Sequence, residues 1–143
     1  MSVLNSVPVS ALLLTSIVVA SALIYLPFLV VAYARLQAPG GYDQSAPRAM
    51  ELPAYAQRAN WAHQNAFESF IIFSVAALMA YVTGEQSGQE SMTVVYGAIA
   101  YLIARLLYPV AYILDIPVMR SLMFGLGNIG IITLFTVSIR SVL

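Results

Sequence analysis

Four long apolar stretches divide the chain, and each is long enough to cross a bilayer as a helix. About 20 apolar residues span a hydrocarbon core roughly 30 Å thick, and the stretches cover approximately residues 9–33, 58–82, 92–114 and 118–139. A long polar segment follows the first stretch, a short acidic loop follows the second, and only residues 115–117 follow the third. Short connections favour antiparallel neighbours. The pattern therefore predicts an all-α fold, an integral-membrane up-and-down four-helix bundle, with residues 1–143 as a single domain.

The distribution of arginine along the connections predicts how the bundle is oriented. Arg35, Arg48, Arg58 and Arg120 lie in or beside the first and third connections, whereas the second connection contains Glu85 and Glu90 but no Arg. By the positive-inside rule, both termini are expected to be non-cytoplasmic. The first stretch is interpreted as a permanent span of a plasma or internal membrane. It exceeds the 7–15 apolar residues of a signal peptide, and no positive charge precedes it.

Composition supports a membrane protein and excludes some kinds of site. Of 143 residues, 61% are hydrophobic and only 8% are charged, whereas about a quarter of a soluble domain is charged. Much of the surface must therefore face lipid. Six basic and six acidic residues give no net charge, so no nucleic-acid partner is expected. The absence of cysteine excludes disulfides and thiolate metal sites, and no metal site is predicted.

Polar residues at membrane depth are the candidates for chemistry in the second stretch. Arg58, Trp61, Asn65 and Glu68 follow the spacing i, i+3, i+7 and i+10, which places them on one side of a helix. Gln64 borders this stripe, and His63 is expected to point away as a surface or interface residue. An unpaired carboxylate at the depth of Glu68 would cost several kcal/mol. Glu68 is therefore predicted to have a partner on another helix or in a wet cavity.

The third stretch offers that partner. Tyr101, Arg105, Tyr108 and Tyr112 follow the spacing i, i+4, i+7 and i+11, again on one side of a helix. Arg105 is far from both helix ends, so we predict that it is buried and pairs with Glu68.

The start of the fourth stretch adds Arg120 and Ser121 at the membrane end where Arg58 lies. Two interpretations of these polar residues remain open. Buried ion pairs and tyrosines can serve packing alone. Alternatively, three arginines against one glutamate leave an excess of positive charge that suits an anionic ligand.

Two segments resemble a known family. The stretch RANWAHQNAFES, residues 58–69, and the stretch ARLLYPVAYILDIPVMRS, residues 104–121, are similar to signatures of the membrane-associated proteins in eicosanoid and glutathione metabolism. This family includes microsomal glutathione transferases and leukotriene and prostaglandin synthases. The number of spans, the long first loop and the chain length agree with the resemblance, which covers essentially the whole chain.

The resemblance implies a homotrimer that binds glutathione between protomers and acts as a transferase or peroxidase on a lipophilic small-molecule electrophile from the bilayer. Arg120 would stabilise the glutathione thiolate, with Ser121 as a neighbouring hydrogen-bond donor, because a nearby cation favours the charged form of a thiol. The remaining matched residues would bind the rest of glutathione: Arg58, Asn65, Glu68, Arg105, Tyr108 and Tyr112.

Three positions differ from some glutathione-using relatives. Trp61 and Gln64 stand where those relatives carry arginine, and Tyr108 stands where some carry histidine. The alternative function is therefore a non-catalytic trimeric membrane protein that binds membrane lipids or serves as an accessory subunit of a larger membrane complex.

Overall fold

The structure, a computed structural model, describes residues 7–37, 51–87 and 91–143. The described residues form helices and no strand, and four helical spans, the first made of two consecutive helices, are long and apolar enough to cross a membrane. The predicted all-α, four-span fold is thereby confirmed. Arg48 and Glu90, on which the orientation prediction also rests, lie outside the described residues. In chain order the helices are α1 (Val9–Leu23), α2 (Tyr25–Leu36), α3 (Ala54–Ser87), α4 (Met92–Ile113) and α5 (Pro117–Arg140).

The first span is interrupted, where the sequence predicts a continuous helix. Helices α1 and α2 together form the span Val9–Leu36, with a break at Ile24. Pro27 causes this break, because proline has no N–H to donate to the carbonyl four residues earlier. The His63 ring of α3 contacts the break, with Nδ1 2.9 Å from the Ile24 carbonyl oxygen. His63, expected to be a surface or interface residue, is half-buried against the first span.

The connection between α4 and α5 is a single tight turn whose backbone N–H groups donate to carbonyl groups at the end of α4. Asp115 adopts a left-handed φ of 58° just after the end of α4. The Ile116 N–H donates to the Ala111 carbonyl at 2.9 Å, and the Asp115 N–H donates to the Tyr112 carbonyl at 3.2 Å. These are the two bonds of a Schellman motif, and aspartate tolerates the left-handed region better than most residues. Pro117 then starts α5, where its missing N–H costs no hydrogen bond.

Helices α4 and α5 make the most extensive helix–helix contact in the bundle. Glycine makes this contact possible, because a Cβ atom on Gly130 would lie 2.5 Å from the carbonyl oxygen of Gly97. Without a hydrophobic driving force between helices in lipid, close backbone packing is a main source of helix association. The pair therefore fixes the spacing between the two helices that carry most candidate site residues.

Helix α3 packs on the bundle through small side chains. Its buried face is mainly alanine: Ala56, Ala59, Ala62, Ala66, Ser69, Phe73, Ala76, Ala77 and Ala80. The opposite face is exposed. Its residues recur at alternating steps of three and four positions: Trp61, Gln64, Glu68, Ile71, Val75, Leu78 and Val82. We call these residues the outer stripe of α3. A step of three and four is the spacing of a helix that packs along another helix.

Candidate functional site

Arg105 is the charged residue at the centre of the candidate site. It lies in the second half of α4 and is only 4% exposed, so its predicted burial is confirmed. Its Nη1 donates to the Asn65 side-chain oxygen at 2.9 Å. The Nε and Nη2 atoms are also buried and have no hydrogen-bond partner. A buried guanidinium thus has one neutral partner and an unused pair of donors.

Two tyrosine rings flank the Arg105 guanidinium. Its central carbon lies 5.3 Å from the ring centre of Tyr101 and 5.4 Å from that of Tyr108. Tyr101 is itself fixed from α3, since its ring stacks on Phe73 at 3.8 Å and its hydroxyl accepts from Ser69 at 3.3 Å. Cation–π contacts of desolvated cations contribute about 2 kcal/mol each. The rings stabilise the cation without neutralising its charge.

The contacts continue from Arg105 towards the start of α5. Tyr108 packs on Tyr112 with ring centres 5.5 Å apart, and the central guanidinium carbon of Arg120 lies 4.8 Å from the Tyr112 ring centre. We call the continuous series Tyr101, Arg105, Tyr108, Tyr112 and Arg120 the arginine–tyrosine ladder. With Asn65 bonded to Arg105, the structure brings together five of the eight predicted site residues.

Arg58 lies at the same end of the bundle but has a different contact. Its Nε donates to the Ile113 carbonyl at 3.0 Å, so it caps the last carbonyls of α4. A cation there also complements the negative end of the helix dipole. This bond to Ile113 is the contact that the described residues show for Arg58.

The predicted ion pair between Glu68 and Arg105 does not form among the described residues of one chain, so this prediction is wrong. Glu68 lies on the exposed outer stripe of α3, whereas Arg105 bonds to Asn65. The physical reason is the alanine face: small side chains let α3 approach the bundle closely, which turns the outer stripe away. Ser121 is likewise exposed.

Three residues of the site environment were not predicted from the sequence. Ser69 fixes Tyr101, and the Phe124 ring packs 6.4 Å from the ring of Tyr108. Gly127 of α5 faces Arg105, because a Cβ atom built on it would lie 3.4 Å from both Nε and Nη2. Tyr101 itself was placed on the helical stripe of Arg105 from the sequence, whereas these three residues were not named. Residues on α5 could not be predicted in this way, because spacing within one helix does not show how two helices are aligned with each other.

The site offers cations and hydroxyl groups. Among the described residues, no group of three or more His, Cys, Asp or Glu side chains could hold a metal ion. The free donors of Arg105 and Arg58 are suited to carboxylates, which accept paired hydrogen bonds from guanidinium groups. These donors have the chemistry that an anionic ligand requires, and those of Arg105 are buried within the single chain.

Fold and site together define a multi-pass integral membrane protein with a buried, partly unpaired arginine in a four-span bundle. The model of the MAPEG family matches residues 12–140. This match covers nearly the whole chain, so the chain belongs to the MAPEG family, which includes glutathione transferases and related proteins. The resemblance found in the sequence is confirmed. No curated protein and no solved structure matches the chain.

Proposed function

We propose that this protein is a glutathione-dependent transferase or peroxidase that acts on lipophilic electrophiles in the membrane. The observation that carries the proposal is the buried Arg105, whose Nε and Nη2 lack any acceptor. An unpaired charge inside a membrane span is costly, and such residues usually mark a ligand or ion site. Glutathione, an anion with carboxylates and a thiol, has the groups that these donors require.

The residues fit glutathione in the following roles. The free donors of Arg105 and the terminal nitrogens of Arg58 would bind its carboxylates, and the Asn65 amide and the hydroxyls of Tyr108 and Tyr112 would hold its peptide groups. Their contacts along the arginine–tyrosine ladder support a shared ligand. Glu68, on the outer stripe of α3, would bind the ligand amino group from a neighbouring copy of the chain.

Arg120 is proposed to supply the electrostatic part of the chemistry. Glutathione would provide the nucleophilic sulfur, because the chain has no cysteine. Arg120, half-buried against Tyr112, would stabilise the negative charge on that sulfur. The exposed Ser121 hydroxyl, one residue later, would donate a hydrogen bond to it. Both residues begin a helix, so they also lie at a positive dipole end.

A titration of glutathione, with the thiolate absorbance followed, tests this function. Purified protein is expected to bind millimolar or lower glutathione and to conjugate a lipophilic electrophile. Arg105→Ala should weaken binding about tenfold or more, since a charge-assisted contact contributes roughly 1.5–3 kcal/mol. Arg120→Ala should remove the thiolate signal and turnover, whereas Arg140→Ala, at the far end of α5, should change neither. Undetectable binding at millimolar glutathione would refute the proposal.

The outer stripe of α3 supports assembly from several copies of the chain, and we propose the homotrimer of the family. Glu68 is exposed near the middle of a 34-residue helix, where contact with lipid would be unfavourable. A second copy packed along the stripe would cover it. The apolar half of the stripe, from Ile71 to Val82, has the three- and four-residue steps of a helix-packing seam.

Cross-linking tests the assembly cleanly because the natural chain has no cysteine. With a trifunctional maleimide, which can join three thiols, Val75→Cys on the outer stripe should form cross-linked products up to the trimer. Val110→Cys on α4 is the matched control, since the two valines are 49% and 47% exposed. Equal cross-linking of both variants, or none at Val75→Cys, would contradict the proposed interface.

A second function is favoured by a different observation. An apolar groove of about 140 Å³ lies between α1 and α4, bordered by Leu12, Val19, Val95 and Leu102. Together with Trp61 and Gln64 in the place of cations, it favours a non-catalytic trimer that binds lipid or serves in a larger membrane complex. If Glu68→Gln and Arg120→Ala leave assembly intact but remove a measured activity, this alternative fails.

The orientation is also a proposal. Arg35, Arg58 and Arg120 lie at the same end of the bundle, which we propose to be cytoplasmic, with both termini on the opposite side. A membrane-impermeant maleimide added to intact cells should therefore label Ser141→Cys but not Gln37→Cys. The reverse labelling would contradict this orientation.

A further inference from the structure

His63 is the single histidine of the chain, and one of its ring nitrogens is committed to a structural bond. Its Nδ1 atom lies 2.9 Å from the carbonyl oxygen of Ile24, near the middle of the first span, Val9–Leu36. A carbonyl oxygen can only accept a hydrogen bond, so Nδ1 carries the proton of this one. In the neutral ring, Nε2 is therefore left as an acceptor.

The Nε2 atom of His63 is accessible and has no partner. The structure shows no hydrogen bond to it among the described residues. It is also absent from the buried side-chain atoms that lack a partner, which belong to Arg35 and Arg105, and the His63 side chain is only half-buried. At the depth of Ile24 the bilayer contains no water to satisfy the atom. A membrane-dissolved molecule that can donate a hydrogen bond is therefore favoured beside it.

Two aromatic rings of α2 lie next to the imidazole and favour a flat ligand. The ring centre of Phe28 is 5.3 Å from that of His63, and the ring centre of Tyr25 is 6.3 Å from it. Tyr25 is 61% exposed and Phe28 is 38% exposed, so much of each ring is uncovered. Aromatic rings pack on one another in offset or tilted arrangements at such distances. A further ring, brought by a ligand, can extend this cluster.

The chemistry of the position excludes other classes of ligand. Nε2 offers a lone pair, so a carboxylate or phosphate, which also only accepts, gains nothing there. Among the residues that the structure describes, no group of three or more His, Cys, Asp or Glu side chains could share a metal ion with His63. A hydroxyl group on an aromatic, lipid-soluble molecule uses both the acceptor and the exposed rings.

We propose that the break in the first span is a binding site for phenols and hydroquinones dissolved in the membrane. The ligand hydroxyl donates to Nε2 of His63, and the ligand ring packs on Tyr25 and Phe28. The site lies where α3 contacts the first span, whereas the arginine–tyrosine ladder is built on α4 and α5. It is independent of glutathione, so either proposal can fail alone.

The single histidine allows a direct spectroscopic test, because ¹⁵N-labelled histidine gives one Nδ1 and one Nε2 resonance. In detergent and mildly alkaline buffer, in which a histidine in water is neutral, Nδ1 should be protonated and Nε2 unprotonated. The compound para-octylphenol should shift the Nε2 resonance saturably. Its methyl ether, which has the same ring and chain but no donor, should not. A protonated Nε2, or equal effects of the phenol and the ether, would overturn the proposal.

Two pairs of variants separate ligand binding from the structural role of His63. His63→Asn keeps an amide donor near the position of Nδ1, for the Ile24 carbonyl, but has no atom at the position of Nε2. It should retain a higher Tm than His63→Ala and yet bind para-octylphenol about two- to tenfold more weakly than the wild type, the loss expected for one hydrogen bond. Tyr25→Leu should also weaken binding in isothermal titration. Tyr33→Leu, a matched change at 59% exposure on the same helix, should not. Unchanged affinity in His63→Asn, or equal losses in the two tyrosine variants, would refute the site.

Discussion

The contact between Gly97 and Gly130 predicts a large effect of a single methyl group. In Gly130→Ala the new Cβ atom would lie 2.5 Å from the Gly97 carbonyl oxygen and 3.2 Å from the Tyr101 backbone nitrogen. A relaxed carbon–oxygen contact is about 3.3 Å, so α5 must move away from α4 by roughly 0.8 Å. Both close atoms belong to backbone, and no side-chain rotation can relieve the contact.

The expected cost follows from that displacement. A gap of about 0.5–1 Å forfeits a quarter to a half of each dispersion contact across the interface, and overpacking costs about 1–3 kcal/mol. Because the α4–α5 contact is the most extensive in the bundle, we expect a loss at the upper end, about 3 kcal/mol. This corresponds to a decrease of about 10 °C in Tm.

Gly125→Ala controls for the change in helix propensity. Its Cβ atom would meet nothing within 4 Å, and alanine is favoured over glycine within helices by up to about 1 kcal/mol. Thermal unfolding of both variants in the same detergent should therefore give a lower Tm for Gly130→Ala and an equal or higher Tm for Gly125→Ala. Equal Tm values would refute the argument that backbone approach at Gly130 holds the two helices together.

Three further substitutions test other local features. Asp115→Gly should raise the Tm by a few degrees and Asp115→Val should lower it, because φ is 58° there and only glycine adopts it without strain. His63→Ala should destabilise the protein by about 1–2 kcal/mol in thermal unfolding, since it removes the hydrogen bond to the Ile24 carbonyl at the break in the first span; His63→Leu, which keeps bulk but not the bond, should not restore the loss. Arg58→Gln should weaken glutathione binding but lower the Tm by less than Arg58→Ala, because glutamine can still donate to the Ile113 carbonyl; equal Tm values would contradict the capping role.

The spans and the depth of Arg105 could be predicted because they depend on distances along one helix. Apolar length alone identifies a span, and a residue many positions from both ends of α4 must lie in the membrane. The break at Ile24 was missed although Pro27 was visible, because a proline predicts a kink without showing whether other helices hold the span together. His63, which contacts the Ile24 carbonyl at 2.9 Å, does so from a helix 39 residues away.

Which residues of neighbouring helices contact each other could not be predicted in the same way. The sequence shows a polar stripe and an alanine stripe on α3, and polar residues at membrane depth were expected to face the bundle. The alanines face it instead, because small side chains allow the closest packing and Asn65, at the edge of the buried face, is enough to reach Arg105. Gly127 was missed for a related reason, since the sequence does not show that a glycine on one helix lies opposite a charge on another.

The exposed Glu68 and the unpaired edge of Arg105 are best understood together. Among the described residues, the carboxylate of Glu68 on the outer stripe of α3 and the Nε–Nη2 edge of Arg105 have no partner of opposite charge. Each would be unfavourable in lipid, and neither can compensate the other in the same chain. Under the proposed function, a zwitterionic ligand bound between copies of the chain, with its carboxylate at Arg105 and its amino group at Glu68 of a neighbour, would satisfy both at once. Glu68→Leu should therefore lose glutathione binding and assembly together.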